Sequence, residues 1–169
     1  MRPRVTTRCR ARMNVDGWPG WDVFTPPLDG TILPGVTRAS CLELLSDPAF
    51  VATVRSSSET KTESSEAGTE SKIVRKAMAL HPAERPFTIQ ELAEWVATHK
   101  FREIFCVGTA VLVCAIHKIG FEGRDLDVRP ADAHGDEHGL GAVGRALRAW
   151  LVSIQNGTLD YNGWGVVCT

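Results

Sequence analysis

Gly35, Val36 and Thr37 stand in the run LPGVTRASCLELL, where a glycine lets the backbone turn sharply just before a helical pattern begins. Such a start leaves the amides of Val36 and Thr37 free to point N–H groups at one place. With the positive end of the helix dipole and the Thr37 hydroxyl, they would suit a phosphate. A plainer reading of the same residues is an ordinary helix capped by Thr37 after a tight turn. The second candidate is Gly108-Thr109-Ala110, which sets a threonine between two apolar runs, at a strand end of the kind where mixed sheets meet their ligands. Thr109 would then be a second phosphate donor.

Other chemically suggestive residues carry less. His134 and His138 have the i, i+4 spacing of a helical metal pair, but Gly135 and Gly139 spoil that helix, so a solvated polar loop and no metal site is expected. Five cysteines, odd in number and without a C-x-x-C pair, argue against a disulfide framework or a zinc ribbon and suit a reducing compartment. The tryptophans are not interleaved with basic residues, so packing explains them better than base stacking.

The elements that must position these residues are legible in part. Val23-Phe24 and Thr31-Ile32-Leu33 read as short extended pieces around the turn Pro26-Pro27-Leu28-Asp29-Gly30, followed by a helix from Thr37 to Leu45. In RPFTIQELAEWVATHK, Thr88 and Glu91 form a Thr-x-x-Glu capping box, which predicts a helix over Ile89 to Lys100 with Leu92, Trp95 and Val96 inward. The apolar run Ile104 to Ile116 is rich in β-branched residues and broken at Gly108, so two strands hinged at Gly108-Thr109-Ala110 are expected. Beyond Phe121 the chain reads as loop. A last helix, Gly141 to Gln155, has Val143, Leu147, Trp150, Leu151 and Ile154 on its inner face, and Gly157 allows a left-handed exit. Arg55 to Lys72, almost wholly polar, reads as a disordered insertion, and residues 1–12 read as an irregular basic start.

With 43% hydrophobic and 23% charged residues, a chain of 169 residues can bury the core of one domain. A formal net charge of -1 gives no sequence-wide pull toward nucleic acid or an anionic membrane, and no apolar run reaches the length of a membrane span. Small-molecule chemistry is the better expectation.

Taken in order, FTPPLDGTILPGVTRASCLELL, ERPFTIQELAEW, REIFCVGTAVLV, KIGFEG and LRAWLVSIQNG resemble the successive signatures of the branched-chain amino acid aminotransferases, class IV enzymes that use pyridoxal phosphate. The resemblance covers Met13 to about Thr158. It implies an α/β fold, the C-terminal pseudo-barrel domain of fold type IV, over residues 13–169, with the polar insertion at about 55–72. It implies pyridoxal 5'-phosphate as cofactor, with Leu33 packed on the pyridine ring, Gly35, Val36 and Thr37 around the phosphate, Gly108 and Thr109 adding to that site, and Ala110 beside the substrate carboxylate.

The substrates so implied are leucine, isoleucine or valine with 2-oxoglutarate, in a homodimer of cytoplasmic or mitochondrial location. Where mammalian relatives have a redox-sensitive C-x-x-C after this alanine, the present chain has Val111 and Cys114, so that switch is expected to be absent. The family's Schiff-base lysine, nucleophile and general base together, is expected upstream of this region, which leaves no catalytic residue here. Lys61, Lys72, Lys76, Lys100 and Lys118 do not stand where it should, and Cys9 and Arg12 occupy the glutamate and threonine positions of the family's EVGTMN, of which Met13-Asn14 survive. The chain alone is therefore expected to be inactive. The alternative is a non-catalytic, aminotransferase-like binding or interaction module.

Overall fold

A computed structural model describes residues 7–13, 19–58, 79–133 and 135–166. The strands and helices follow the order β1 (Thr7–Met13), β2 (Pro19–Thr25), α1 (Val36–Leu45), α2 (Pro48–Ser58), β3 (Ala79–Glu84), α3 (Ile89–Ala97), β4 (Phe101–Gly108), β5 (Leu112–Ala115), β6 (Lys118–Phe121), β7 (Arg124–Asp127) and α4 (Ala142–Gln155). Strands β3-β2-β1-β4-β5 form one sheet, and β6 and β7 form a separate hairpin. All neighbours in the larger sheet run antiparallel except β2 and β3. This is a mixed α/β domain.

Successive residues of a strand point to opposite faces, and the chain uses that period to build two cores. Val23 and Phe105 turn toward a main core closed by α1, α2 and α4, with Leu44, Phe50, Leu147 and Ile154 among its buried members. Their neighbours Phe24 and Ile104 turn the other way, onto Leu92 and Trp95 of α3 and onto Val128. There Phe24 meets both Phe87 and Trp95 edge-on, with ring centroids 5.4 and 5.6 Å apart.

The capping box forms as the sequence requires: the Glu91 N–H donates to Thr88 Oγ1 at 3.2 Å, and the Thr88 N–H donates to Glu91 Oε2 at 2.9 Å. Removing this cap with Thr88→Ala is expected to lower stability by about 1 kcal/mol, read as a shifted urea midpoint at unchanged slope. The helix stops at Ala97 rather than Lys100. His99 takes a left-handed φ of 53°, and the N–H groups of His99 and Lys100 turn back onto Val96 and Trp95.

Four other expectations change. Residues 7–13 are a strand rather than part of an irregular start, because Arg8-Cys9-Arg10-Ala11-Arg12-Met13 alternates with the period of two that strands require. Thr31-Ile32-Leu33 is bent loop, not strand. Arg55 to Ser58, expected to open the disordered insertion, instead ends α2, because Phe50 and Val54 bury one face of that helix; the rest of the insertion lies outside the described residues. The segment after Phe121 pairs back as β7 through Glu122-Gly123, whose φ values of 51° and 72° make the two-residue turn a hairpin favours. Leu126 packs on the second core, which gives this polar strand its hold.

Candidate functional site

The loop from Pro26 to Gly35 leaves the end of β2 and returns to start α1, so its two ends must be held together. Arg38 does this. Its Nε donates to Thr25 Oγ1 at 3.2 Å, and its Nη2 donates to the Pro26 carbonyl at 2.8 Å and to Glu84 Oε1, at the end of β3, at 2.6 Å. Thr25 is fully buried and the Arg38 side chain only 9% exposed, so a planar fork of donors is tied to three fixed acceptors. Sequence reading passed over Arg38, although an arginine one turn into a helix that follows a long loop with a single charged residue is the signal that could have found it.

The helix it anchors starts at Gly35 in extended conformation, with no side-chain cap. A Cβ at Gly35 would meet nothing within 4 Å, so the approach to the helix end is open. Thr37 does not cap this helix, which removes the plainer reading of the residue. Uncapped N–H groups at the positive end of a ten-residue helix are a place for an anion.

Gly35, Val36 and Thr37 open onto a cleft of about 1240 Å³. Its far wall is the last turn of α4, Leu151 to Gln155, and the chain beyond it as far as Val166. That tail is turned back by a glycine exit of the kind the sequence indicates. Gly157 takes φ 71°, its N–H donates to Ile154 O at 3.1 Å, and the Thr158 N–H donates to Ser153 O at 2.9 Å. Tyr161 then fixes the tail by donating its hydroxyl to Asp47 at 3.2 Å and by stacking edge-on between Trp150 and Trp164.

The other candidate residues fall around the cleft. Gly108-Thr109-Ala110 lies at the tip of the β4–β5 hairpin, with Thr109 and Ala110 exposed. None of the three lines the cleft, but Leu112, which closes the hairpin opposite Gly108, does. Leu33 is 87% exposed and outside the lining, while Val36 and Val166, 80% and 83% exposed, make its mouth apolar. Lys100 and Lys118 are both away from it, Lys118 pairing with Asp125 at 3.0 Å. Among the described residues no cluster of His, Cys, Asp or Glu could hold a metal ion. His134 lies outside the described residues, and His138 rests against Glu137 at 3.1 Å. Among the described residues, no helix is long and apolar enough to cross a membrane.

The sequence reading also missed Glu103. Its buried carboxylate accepts N–H bonds from Gly141 at 3.0 Å, Val143 at 2.9 Å and Gly144 at 3.2 and 3.3 Å, and so caps α4 from a neighbouring strand. Burial pushes its pKa up to about 7, and the nearby Asp132 adds to the rise, against the pull of the three amides.

No family model matches the chain. Curated proteins do. Branched-chain-amino-acid aminotransferase 6 of Arabidopsis thaliana is 30% identical over 145 residues, 85% of this chain and 28% of that protein. The mitochondrial branched-chain-amino-acid aminotransferase of Rattus norvegicus is 34% identical over 116 residues, 69% of this chain and 22% of that protein. The mitochondrial form of Saccharomyces cerevisiae is 31% identical over 143 residues, and a cytosolic form from the same yeast is 30% identical over 148. The chain thus spans less than a third of the length of these relatives.

Proposed function

From the similarity of this chain, along most of its length, to branched-chain-amino-acid aminotransferases, we propose that it is the phosphate-binding portion of a pyridoxal-phosphate-dependent transaminase. Its substrates in this reading are leucine, isoleucine or valine and 2-oxoglutarate. The observation that carries the reading is the uncapped start of α1 on the cleft. The residues present suit the cofactor: N–H groups at a helix N-terminus for the phosphate, and an apolar mouth for a ring.

In this reading the Val36 and Thr37 amides and the Thr37 hydroxyl bind the phosphate, with Gly35 leaving room for its approach. Leu33 covers the ring. The resemblance would add Gly108 and Thr109 to the phosphate site and set Ala110 beside the substrate carboxylate, which requires the hairpin tip to reach over from outside the cleft lining, to which this hairpin contributes only Leu112. The cofactor, when bound, supplies an electron sink for the carbanion left as the substrate's α-proton departs. In this reading an amine base moves that proton, and among the described residues neither lysine, Lys100 nor Lys118, lines the cleft. The 169-residue chain is accordingly expected to bind cofactor without forming glutamate from leucine and 2-oxoglutarate. The finer fold, a fold type IV pseudo-barrel, and a homodimer belong to the same proposal, as does a mitochondrial or cytosolic location.

The test uses 4'-deoxypyridoxine phosphate, which keeps ring and phosphate but has no aldehyde to react with surface lysines. It is expected to quench tryptophan emission and to bind more tightly than 4'-deoxypyridoxine. Val36→Pro removes the first helical N–H while keeping the helix, since proline is tolerated at that position and Gly35 already has the φ of -70° and ψ of 136° that a residue before proline needs. We expect it to weaken the phosphate ligand about tenfold, the worth of one hydrogen bond to a charged group, and to leave the urea midpoint unchanged. Equal binding of the two ligands, or an unaffected variant, would refute the phosphate site. Glutamate formation abolished by Thr109→Ala would refute the inactivity of the chain.

A further inference from the structure

The hairpin that carries Thr109 also carries two thiols in register. Cys106 of β4 pairs directly with Cys114 of β5 across the antiparallel ladder. The Cys106 Sγ donates to the Cys114 carbonyl at 3.6 Å, and the two thiols are near enough to interact with each other. Val107 and Val113, the next pair along, serve the main core, so the cysteines occupy the opposite face of the hairpin. Cys106 is half-buried and Cys114 exposed, on the edge strand of the sheet.

Residues directly opposed in an antiparallel pair lie roughly 4.5–5.5 Å apart at Cα, inside the roughly 4.4–6.8 Å that a disulfide spans. We propose that Cys106 and Cys114 are a reversible oxidation site, closing to a disulfide that staples β4 to β5 beneath the Thr109–Val111 tip when the protein meets a hydroperoxide. The proposal does not depend on the transaminase reading.

The division of labour follows from exposure. Burial and the neighbouring Cys114 hold the Cys106 thiol above its ordinary range, so Cys114 is the sulfur that meets the oxidant. The Cys114 thiolate attacks one peroxide oxygen; an S–O bond forms, the O–O bond breaks, and water or an alcohol leaves. The Cys106 sulfur then attacks the Cys114 sulfur; the S–S bond forms, the S–O bond breaks, and the displaced hydroxyl leaves as water with the thiol proton. Two thiols lose two electrons and the hydroperoxide gains them. Cys41 takes no part, because burial pushes its thiol up to about 12.

Both cysteines fall in one tryptic peptide, Glu103 to Lys118. The full chain is treated with hydrogen peroxide, quenched, alkylated with iodoacetamide in denaturant and digested without reductant. We expect this peptide to appear unalkylated and two hydrogens lighter, to be restored by dithiothreitol, and the free-thiol titre to fall by two from the five of the sequence. In Cys106→Ser, dimedone should trap a sulfenic acid on Cys114. The proposal is overturned by an unchanged titre, by a disulfide joining two chains or involving another cysteine, or by Cys114 passing to sulfinic acid while Cys106 stays free. The wild-type map decides the question even if the variant does not fold.

Discussion

Replacing Glu103 with alanine should lower the unfolding free energy by roughly 4 kcal/mol at pH 5 and by far less at pH 8. At the lower pH the variant loses the acceptor that satisfies the amides of Gly141, Val143 and Gly144, and it leaves a cavity under the start of α4. The pH dependence has a definite sign. Burial raises the folded pKa to about 7 from an ordinary 4.5, so the fold holds the proton more tightly than the unfolded chain does. The stabilisation is fully present below about 4.5 and is lost as pH rises through 7, a change on the order of 3 kcal/mol. Glu103→Gln keeps the shape and one acceptor, and its urea midpoint should be flat across that window. A wild-type stability that rises between pH 5 and 8 would contradict this account. The site also has no room for compensation, since a Cβ on Gly141 or Gly144 would come within 2.8 Å of the Glu103 carboxylate.

The second large effect is expected at Arg38. Arg38→Ala should lower stability by about 2–3 kcal/mol, mostly because the Pro26 carbonyl and the fully buried Thr25 lose a charged donor. The bond to Glu84 contributes less, since that carboxylate is 41% exposed and screened by water. Arg38→Lys should recover little of the loss, because one ammonium cannot span three acceptors in a fork. The loop between Pro26 and Gly35 should then be nicked by a broad-specificity protease at low dose, where the wild-type loop resists. Equal nicking rates in the two proteins would show that Arg38 does not close the loop.

These two residues mark where the sequence was hard to read. Local signals carried well: the Thr88–Glu91 box, the 3.6-residue recurrence of Val143, Leu147, Leu151 and Ile154, and the left-handed exit at Gly157 each act within a few residues of chain. Arg38 and Glu103 act on partners that are distant in sequence, Glu84 for one and Gly141 to Gly144 for the other, and the residues flanking a charge give no sign of who will satisfy it. The strand β3 was missed for another reason. Pro82 argues against a strand, but β3 lies at the sheet edge, where a missing N–H is tolerated. At the candidate site, Gly35, Val36 and Thr37 could be read as a unit because one turn of chain brings them together. Leu112 and the tail to Val166 could not, because only the fold brings them to the cleft.

The strand order sets a sequence of events for the growing chain. Strand β1 sits in the middle of the sheet, pairing early with β2 through a local hairpin, but its other edge waits for β4, with Thr7 opposite Phe105. The parallel β2–β3 contact likewise cannot close until α1, α2 and the segment after them have been made. Both closures carry a large loop entropy before any contact rewards them, which places this domain among slow folders for its size. The edges of the β1–β2 hairpin that face β3 and β4 have no partner from this sheet until those strands have been made, and a chaperone that shields strand edges would have its longest engagement there.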